Sequence, residues 1–152
     1  MKIFITVGTT PFDELIRFCE KSLSPDRYTI KAQISDLASY RPNSFESFAY
    51  TKNITDYYEW ADVIIAHAGA GTFYQLMEIG KKVIFVPNHT MKDNHQNDIC
   101  RYALDNNLAF VLGKPEQLIE LLDTLEKHHF TKYHKPENSI ARYLYDIVLN
   151  YN

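Results

Sequence analysis

Small and polar residues gather at three places where an apolar run ends, and each place is suited to holding an anion. The run Asp62-Val63-Ile64-Ile65-Ala66 opens into His67-Ala68-Gly69-Ala70-Gly71-Thr72, and Ile3-Phe4-Ile5-Thr6-Val7 opens into Gly8-Thr9-Thr10. Small residues let a ligand approach the backbone, and a helix that follows offers its unpaired first N–H groups to negative charge. A third exit, Val83-Ile84-Phe85-Val86-Pro87, leads to Asn88 and then to Asn94-His95-Gln96-Asn97-Asp98, a set of neutral donors with one carboxylate. Together these outline a site for a nucleoside diphosphate at the carboxyl ends of parallel strands.

Other chemistries fit these residues less well. A nicotinamide dinucleotide calls for GxGxxG after the first strand, but here the third glycine position is Tyr74 and the loop follows a late strand. No Walker A loop is present. His67 can serve as a phosphate donor or a base, or simply as a structural histidine at a strand end. Gln75 falls one turn into a helix, within reach of a ligand hydroxyl or free to face water. A metal would draw on Asp93, His95 and Asp98, yet no glutamate or second close histidine completes a recognised set. No Ser–His–acid or Cys–His arrangement can be assigned. His128, His129 and His134 belong to a basic segment that reads as a solvated connector.

The elements that must position these groups alternate between strand and helix. Strands are expected at 2–7, 28–34, 45–50, 62–66, 82–86 and 109–112, with a polar loop at 37–44. Thr10 can cap the first helix, with Pro11 in its first turn and Asp13 at capping-box spacing. That helix presents Phe12, Leu15, Ile16, Cys19 and Leu23 on one face. Further helices are expected at 56–61, at 72–79 with Phe73, Leu76 and Met77 inward and Gly80 as C-cap, and at 94–106 burying Ile99, Tyr102 and Ala103. Pro115 opens another, bearing Leu118, Ile119, Leu122 and Leu125. A last helix at 137–151 carries Ile140, Tyr143, Leu144, Ile147, Val148 and Tyr151 in one stripe, suited either to its own domain or to a partner. The alternation and the β-branched strands predict an α/β fold with a doubly wound, mostly parallel Rossmann-like sheet, in a single domain spanning 1–152.

Composition narrows the partners. With 45% hydrophobic and 23% charged residues over 152 positions, the chain can bury a core without staples. A net charge of −3 provides no basic field for nucleic acid or an anionic membrane. Cys19 and Cys100 form no CxxC pair and read as reduced core thiols of a cytoplasmic protein. The apolar start is too short for a signal peptide, and no apolar run approaches the ~20 residues that span a bilayer. Work at a membrane therefore requires recruitment by something else.

The segments Val7-Gly8-Thr9-Thr10, Phe12-Asp13, Leu15-Ile16, Trp60 through Thr72, Gly80-Lys81, Val86, Asn88 and Asn94-His95-Gln96 stand in the order and spacing of one family. Over about its first 110 residues the chain resembles the C-terminal, donor-binding domain of GT-B glycosyltransferases of family twenty-eight. It resembles still more the separately encoded soluble halves of split enzymes, which include the dolichol-linked N-acetylglucosaminyltransferase and bacterial capsule and exopolysaccharide transferases. That resemblance implies a UDP-sugar-dependent, inverting hexosyltransferase, active only with a membrane-associated acceptor-binding subunit that presents a lipid-linked saccharide. It implies no metal or cofactor beyond the UDP-sugar, and peripheral recruitment to the membrane through the partner.

By the same resemblance, Ile54 and its backbone neighbours read uracil, and Ala68, Gly69, Ala70, Gly71 and Thr72 hold the diphosphate opposite Gly8, Thr9 and Thr10. Asn88, Asn94, His95 and Gln96 contact the donor sugar and phosphates. The catalytic base is expected on the partner, with His67 a distant candidate. Three positions depart from the pattern. Gln75 replaces a ribose-binding glutamate and accepts hydrogen bonds less strongly. Lys82 replaces a proline, with little expected consequence. Ile34-Ser35 stand where a glycine is usual. An alternative role, favoured by Gln75, is a non-catalytic nucleotide-binding activator of a membrane transferase.

Overall fold

The computed structural model describes residues 1–88 and 95–134, and within them six strands form one sheet. In chain order the elements are β1 (Lys2–Thr6), α1 (Asp13–Ser22), β2 (Thr29–Gln33), β3 (Glu46–Phe48), α2 (Ile54–Trp60), β4 (Val63–His67), α3 (Ala70–Glu78), β5 (Val83–Val86), α4 (His95–Asp105), β6 (Phe110–Val111) and α5 (Leu118–Leu125). A 3₁₀ turn at Pro115–Gln117 leads into α5. The strand order is β3-β2-β1-β4-β5-β6, and every described pairing is parallel. This is the doubly wound arrangement, with its topological switch between β1 and β4.

Period-two alternation explains both layers. Ile3, Ile5, Val63, Ile65 and Ile84 point to one face, where Leu15, Ile16 and Cys19 of α1 and Leu118, Leu122 and Leu125 of α5 cover them. Phe4, Ile64, Ala66 and Phe85 point to the other, beneath Tyr58 of α2, Phe73, Leu76 and Met77 of α3, and Cys100 and Ala103 of α4. The central strands are buried on both sides, which is why their sequences read as continuous apolar runs. Burial pushes the Cys19 thiol up to about 12 and the Cys100 thiol to about 11, so both stay protonated.

The helix ends are held by particular contacts. Gly80, at φ +68°, donates to the Met77 carbonyl while Lys81 N–H donates to Leu76, which completes a Schellman turn closing α3. Lys81 Nζ donates to the Glu59 and Ala61 carbonyls at the end of α2, at 3.0 and 2.9 Å. Lys82 Nζ does the same for Leu125 and Glu126 at the end of α5, at 2.8 and 3.2 Å. Consecutive residues, pointing to opposite faces of the sheet, thus cap one helix in each layer. Lys82 is no neutral replacement for proline.

Several expectations need correction. The first helix begins at Asp13, with Phe12 as its N-cap and no side-chain cap, so Thr10 does not cap it. Asp13 turns instead to the loop after β2, where its Oδ2 accepts Ser39 N–H at 3.0 Å. Helix α3 starts at Ala70, two residues earlier than its glycines suggest, and α2 starts at Ile54. Tyr102 is exposed rather than buried, with its ring edge against Phe73. The segment after α5 is more than a solvated connector. Asn107, at φ +50°, bonds His128 and the His129 carbonyl, while the rings of Phe110, His128 and Phe130 pack together at tilted and edge-on angles. Asn94 and the helix expected at 137–151 lie outside the described residues. Among the described residues no helix is long and apolar enough to cross a membrane.

Candidate functional site

The switch between β1 and β4 brings two of the three polar exits side by side, since Thr6 pairs in register with Ala66. The β1 exit is shaped by buried polar groups. Thr6 Oγ1 donates to Gln33 Oε1 at 2.8 Å, and Gly8, at φ +63°, directs its N–H back to the same hydroxyl at 3.4 Å. Ser35, itself buried, donates from Oγ to the Thr9 carbonyl at 2.8 Å and accepts Leu37 N–H at 3.1 Å. Ser35 ties the β2–β3 loop to Thr9, and Asp13 ties the same loop to the start of α1. Neither Ser35 nor Thr6 is expected from the sequence to shape the site. The signal for Ser35 was its place where the family pattern has a glycine, and that for Thr6 was a hydroxyl inside an apolar strand.

At the β4 exit, Ala68 is fully buried and Gly69 is the N-cap of α3 in extended conformation, with no side-chain cap. The first bond of the helix runs from Phe73 N–H to the Gly69 carbonyl. The amides of Ala70, Gly71 and Thr72 therefore stand at a helix start with no intrahelical acceptor, the arrangement that attracts phosphate. Ala70 and Gly71 are exposed, and Gln75 is exposed one turn further along.

His67 joins the two exits. A Cβ on Gly8 would come within 2.7 Å of its Cε1, and one on Gly69 would overlap its Nε2. Those glycines are needed to make room for the imidazole. Among the described residues nothing lies near the missing Cβ of Gly71, so none of their contacts requires its smallness. The ring is half-buried, and burial holds the imidazole below its ordinary range, with the Thr6 backbone opposing in part. Among the described residues no hydrogen bond of ordinary geometry reaches its buried Nδ1.

The third exit lies next to the second, because His67 pairs with Val86. Asn88 is buried, and its N–H donates to Gln96 Oε1 at 2.9 Å. Gln96 thereby ties β5 to the start of α4, leaving only its NH₂ to face a ligand. His95 is the exposed first residue of α4. Ile54 opens α2 beyond β3, with its side chain packed on the core, so only its backbone can meet a base. The fold thus gathers Gly8, Thr9, Thr10, His67 through Thr72, Gln75, Asn88, His95 and Gln96 along one rim, with Ile54 towards the β3 edge.

Cavities of 420 and 430 Å³ open at the opposite rim, beside Lys81, Lys82 and Glu126. The Lys81 and Lys82 ammonium groups there are engaged by helix carbonyls.

Residues 2–150 match the model of the glycosyltransferase family 28 C-terminal domain. The chain is 38% identical over 81 residues to the UDP-N-acetylglucosamine transferase subunit ALG13 of Candida glabrata, covering 53% of this chain and 40% of that one. It is 26% identical over 119 residues to the UDP-N-acetylglucosamine–N-acetylmuramyl-(pentapeptide) pyrophosphoryl-undecaprenol N-acetylglucosamine transferase of Vesicomyosocius okutanii, covering 78% of this chain and 35% of that one. The matched segments thus span well under two thirds of these relatives. Among solved structures, Acinetobacter baumannii MurG aligns with TM-score 0.61 at 22% identity, over 82% of this chain and 42% of that one. The solution structure of ALG13 aligns with TM-score 0.61 at 16% identity, over 90% of each chain. At these identities the structural matches speak for the fold.

Proposed function

We propose, from the premise that this chain belongs to the glycosyltransferase family 28 C-terminal domain family, that it is the UDP-sugar-binding catalytic subunit of a two-component inverting glycosyltransferase. The observation that carries this reading is the meeting of two glycine-bearing exits at the switch point, with the uncapped start of α3 between them and the exposed Gly71 beside it. A diphosphate placed there meets unpaired amides and threonine hydroxyls. In the reaction, an acceptor hydroxyl attacks the anomeric carbon, the bond from that carbon to the diphosphate oxygen breaks, and UDP departs. Amides aimed at the departing oxygens lower the barrier because they need no rearrangement as charge develops. The acceptor proton goes to a base on the partner subunit.

The named relatives point the donor towards UDP-N-acetylglucosamine, since both are described as transferases of that sugar. They give no support to a capsule or exopolysaccharide assignment. The name of the Vesicomyosocius enzyme supports a polyprenyl-linked saccharide as the class of acceptor, and that of ALG13 supports a subunit role. We place the acceptor site on a membrane-associated partner that recruits this chain to the bilayer surface.

A non-catalytic activator is the second reading, favoured by the exposed amide of Gln75 where the family pattern has a carboxylate. Transfer of radiolabelled sugar by the reconstituted pair separates the two. On the catalytic reading, Gly71→Val in this chain abolishes transfer along with donor binding. Undiminished transfer with the variant, at normal complex assembly, would leave only the activator role.

A further inference from the structure

We infer that His67 takes up a proton when a diphosphate enters the cleft, which makes it a positioning residue whose charge is coupled to donor binding. This rests on the reading that a nucleoside diphosphate sugar binds between the β1 and β4 exits.

The geometry gives the two ring nitrogens different surroundings. The Nε2–Cε1 edge fills the gap between Gly8 and Gly69. Nδ1 is buried with no hydrogen-bond partner among the described residues. Leaving a buried N–H unpaired costs the full desolvation of a donor, so the neutral ring is best served by a bare lone pair at Nδ1 and its proton on Nε2. That proton borders both glycine loops, where it can donate to a phosphoryl oxygen.

Among the described residues no charged neighbour offsets an imidazolium here. The β1 exit contributes Thr6, Val7 and Gly8, the β4 exit and α3 start contribute Ala68, Gly69 and Ala70, and β5 contributes Val86 in register. None of these titrates, and burial disfavours the charged ring. A diphosphate reverses the balance, because an opposite charge within about 4–6 Å favours the protonated form. The proton comes from solvent and adds to the nitrogen left bare in the neutral ring, and the Thr6 backbone, which favours the charged form, offsets part of the cost of burial. Affinity should therefore rise as pH falls between the bound and free titration points, and flatten on either side.

The test is calorimetric titration of the full chain with UDP-N-acetylglucosamine in buffers of different ionisation heat, between about pH 5 and 8. Both phosphoryl groups of this probe are esterified and do not titrate in that range, so a proton taken up must land on the protein. We expect a heat that grows with the buffer's ionisation heat, corresponding to uptake of up to one proton. Affinity should change by at most about tenfold per pH unit at the steepest point. His67→Gln keeps a donor and should bind with no buffer dependence and a flat pH profile. Should that variant not fold, nitrogen-15 imidazole spectra of the wild-type chain carry the test, with one ring passing from neutral to imidazolium on saturation. Saturable binding with buffer-independent heat overturns the inference, as does uptake that survives in His67→Gln, which would assign the proton elsewhere, for instance to His95. Absence of any saturable binding overturns the proposed function and the inference with it.

Discussion

Gly69 and Gly71 stand two residues apart, and their substitution should separate packing from ligand access. A side chain at Gly69 must displace the His67 ring, and such overpacking typically costs about 1–3 kcal/mol. Gly71 meets nothing, so Gly71→Val should leave stability within about 0.5 kcal/mol of wild type while filling the space beside α3's free amides. Urea unfolding paired with calorimetric titration reads both quantities. We expect Gly69→Ala to lose stability and affinity, and Gly71→Val to lose affinity alone; a Gly71→Val chain that binds normally would remove that position from the site. The glycine spacing was legible in the sequence, but its reasons were not. Gly69 yields room to a ring two residues away, and that ring is pressed from the other side by Gly8 across the β1–β4 pairing, a contact no local pattern encodes.

The lysine pair and Ser35 separate the rim that binds from the rim that only holds. Lys82 caps α5 at the amino ends of the strands, so Lys82→Ala should cost about 1 kcal/mol of stability and leave donor affinity unchanged. Ser35→Ala frees the Thr9 carbonyl at the carboxyl ends, and losing a hydrogen bond of about 1 kcal/mol should weaken donor binding roughly fivefold if the loop must be ordered to bind. Equal effects of the two variants on affinity would show that the loop's order is immaterial. Among the described residues element type and sequence order were readable, because alternating burial leaves a clear period in β1, β4 and α1. Element ends were less so. Helix α3 reaches back to Ala70 since Gly69 caps it through its backbone alone, and the eye takes two glycines for a loop. The exposure of Tyr102 escaped the helical period because its ring edge rests on Phe73 while the rest faces outward.

One doubly wound sheet offers one ligand-bearing rim, and transfer between two sugars needs two sets of contacts on opposite sides of the scissile bond. The full chain alone is therefore expected to bind UDP-N-acetylglucosamine without transferring it, and to gain transfer when an acceptor-binding partner is added. Chelation of divalent ions should leave the binding step unchanged, since amides and hydroxyls supply the groups proposed for the diphosphate; affinity lost to a chelator and restored by a metal would contradict that assignment. The fold class was legible at this scale because parallel strands and crossover helices leave few alternatives. The proposed partner was not, because any surface complementary to this chain would be written in another chain's residues.

The central claim is that the diphosphate lies between the β1 and β4 exits, and an amide map tests it most directly. Nitrogen-15-labelled chain titrated with UDP-N-acetylglucosamine should show saturable shifts at Gly8, Thr9, Gly69, Ala70, Gly71 and Thr72. Shifts confined to Gly80, Lys81 and residues 128–133 at the opposite rim, or no saturable shift at all, would contradict it.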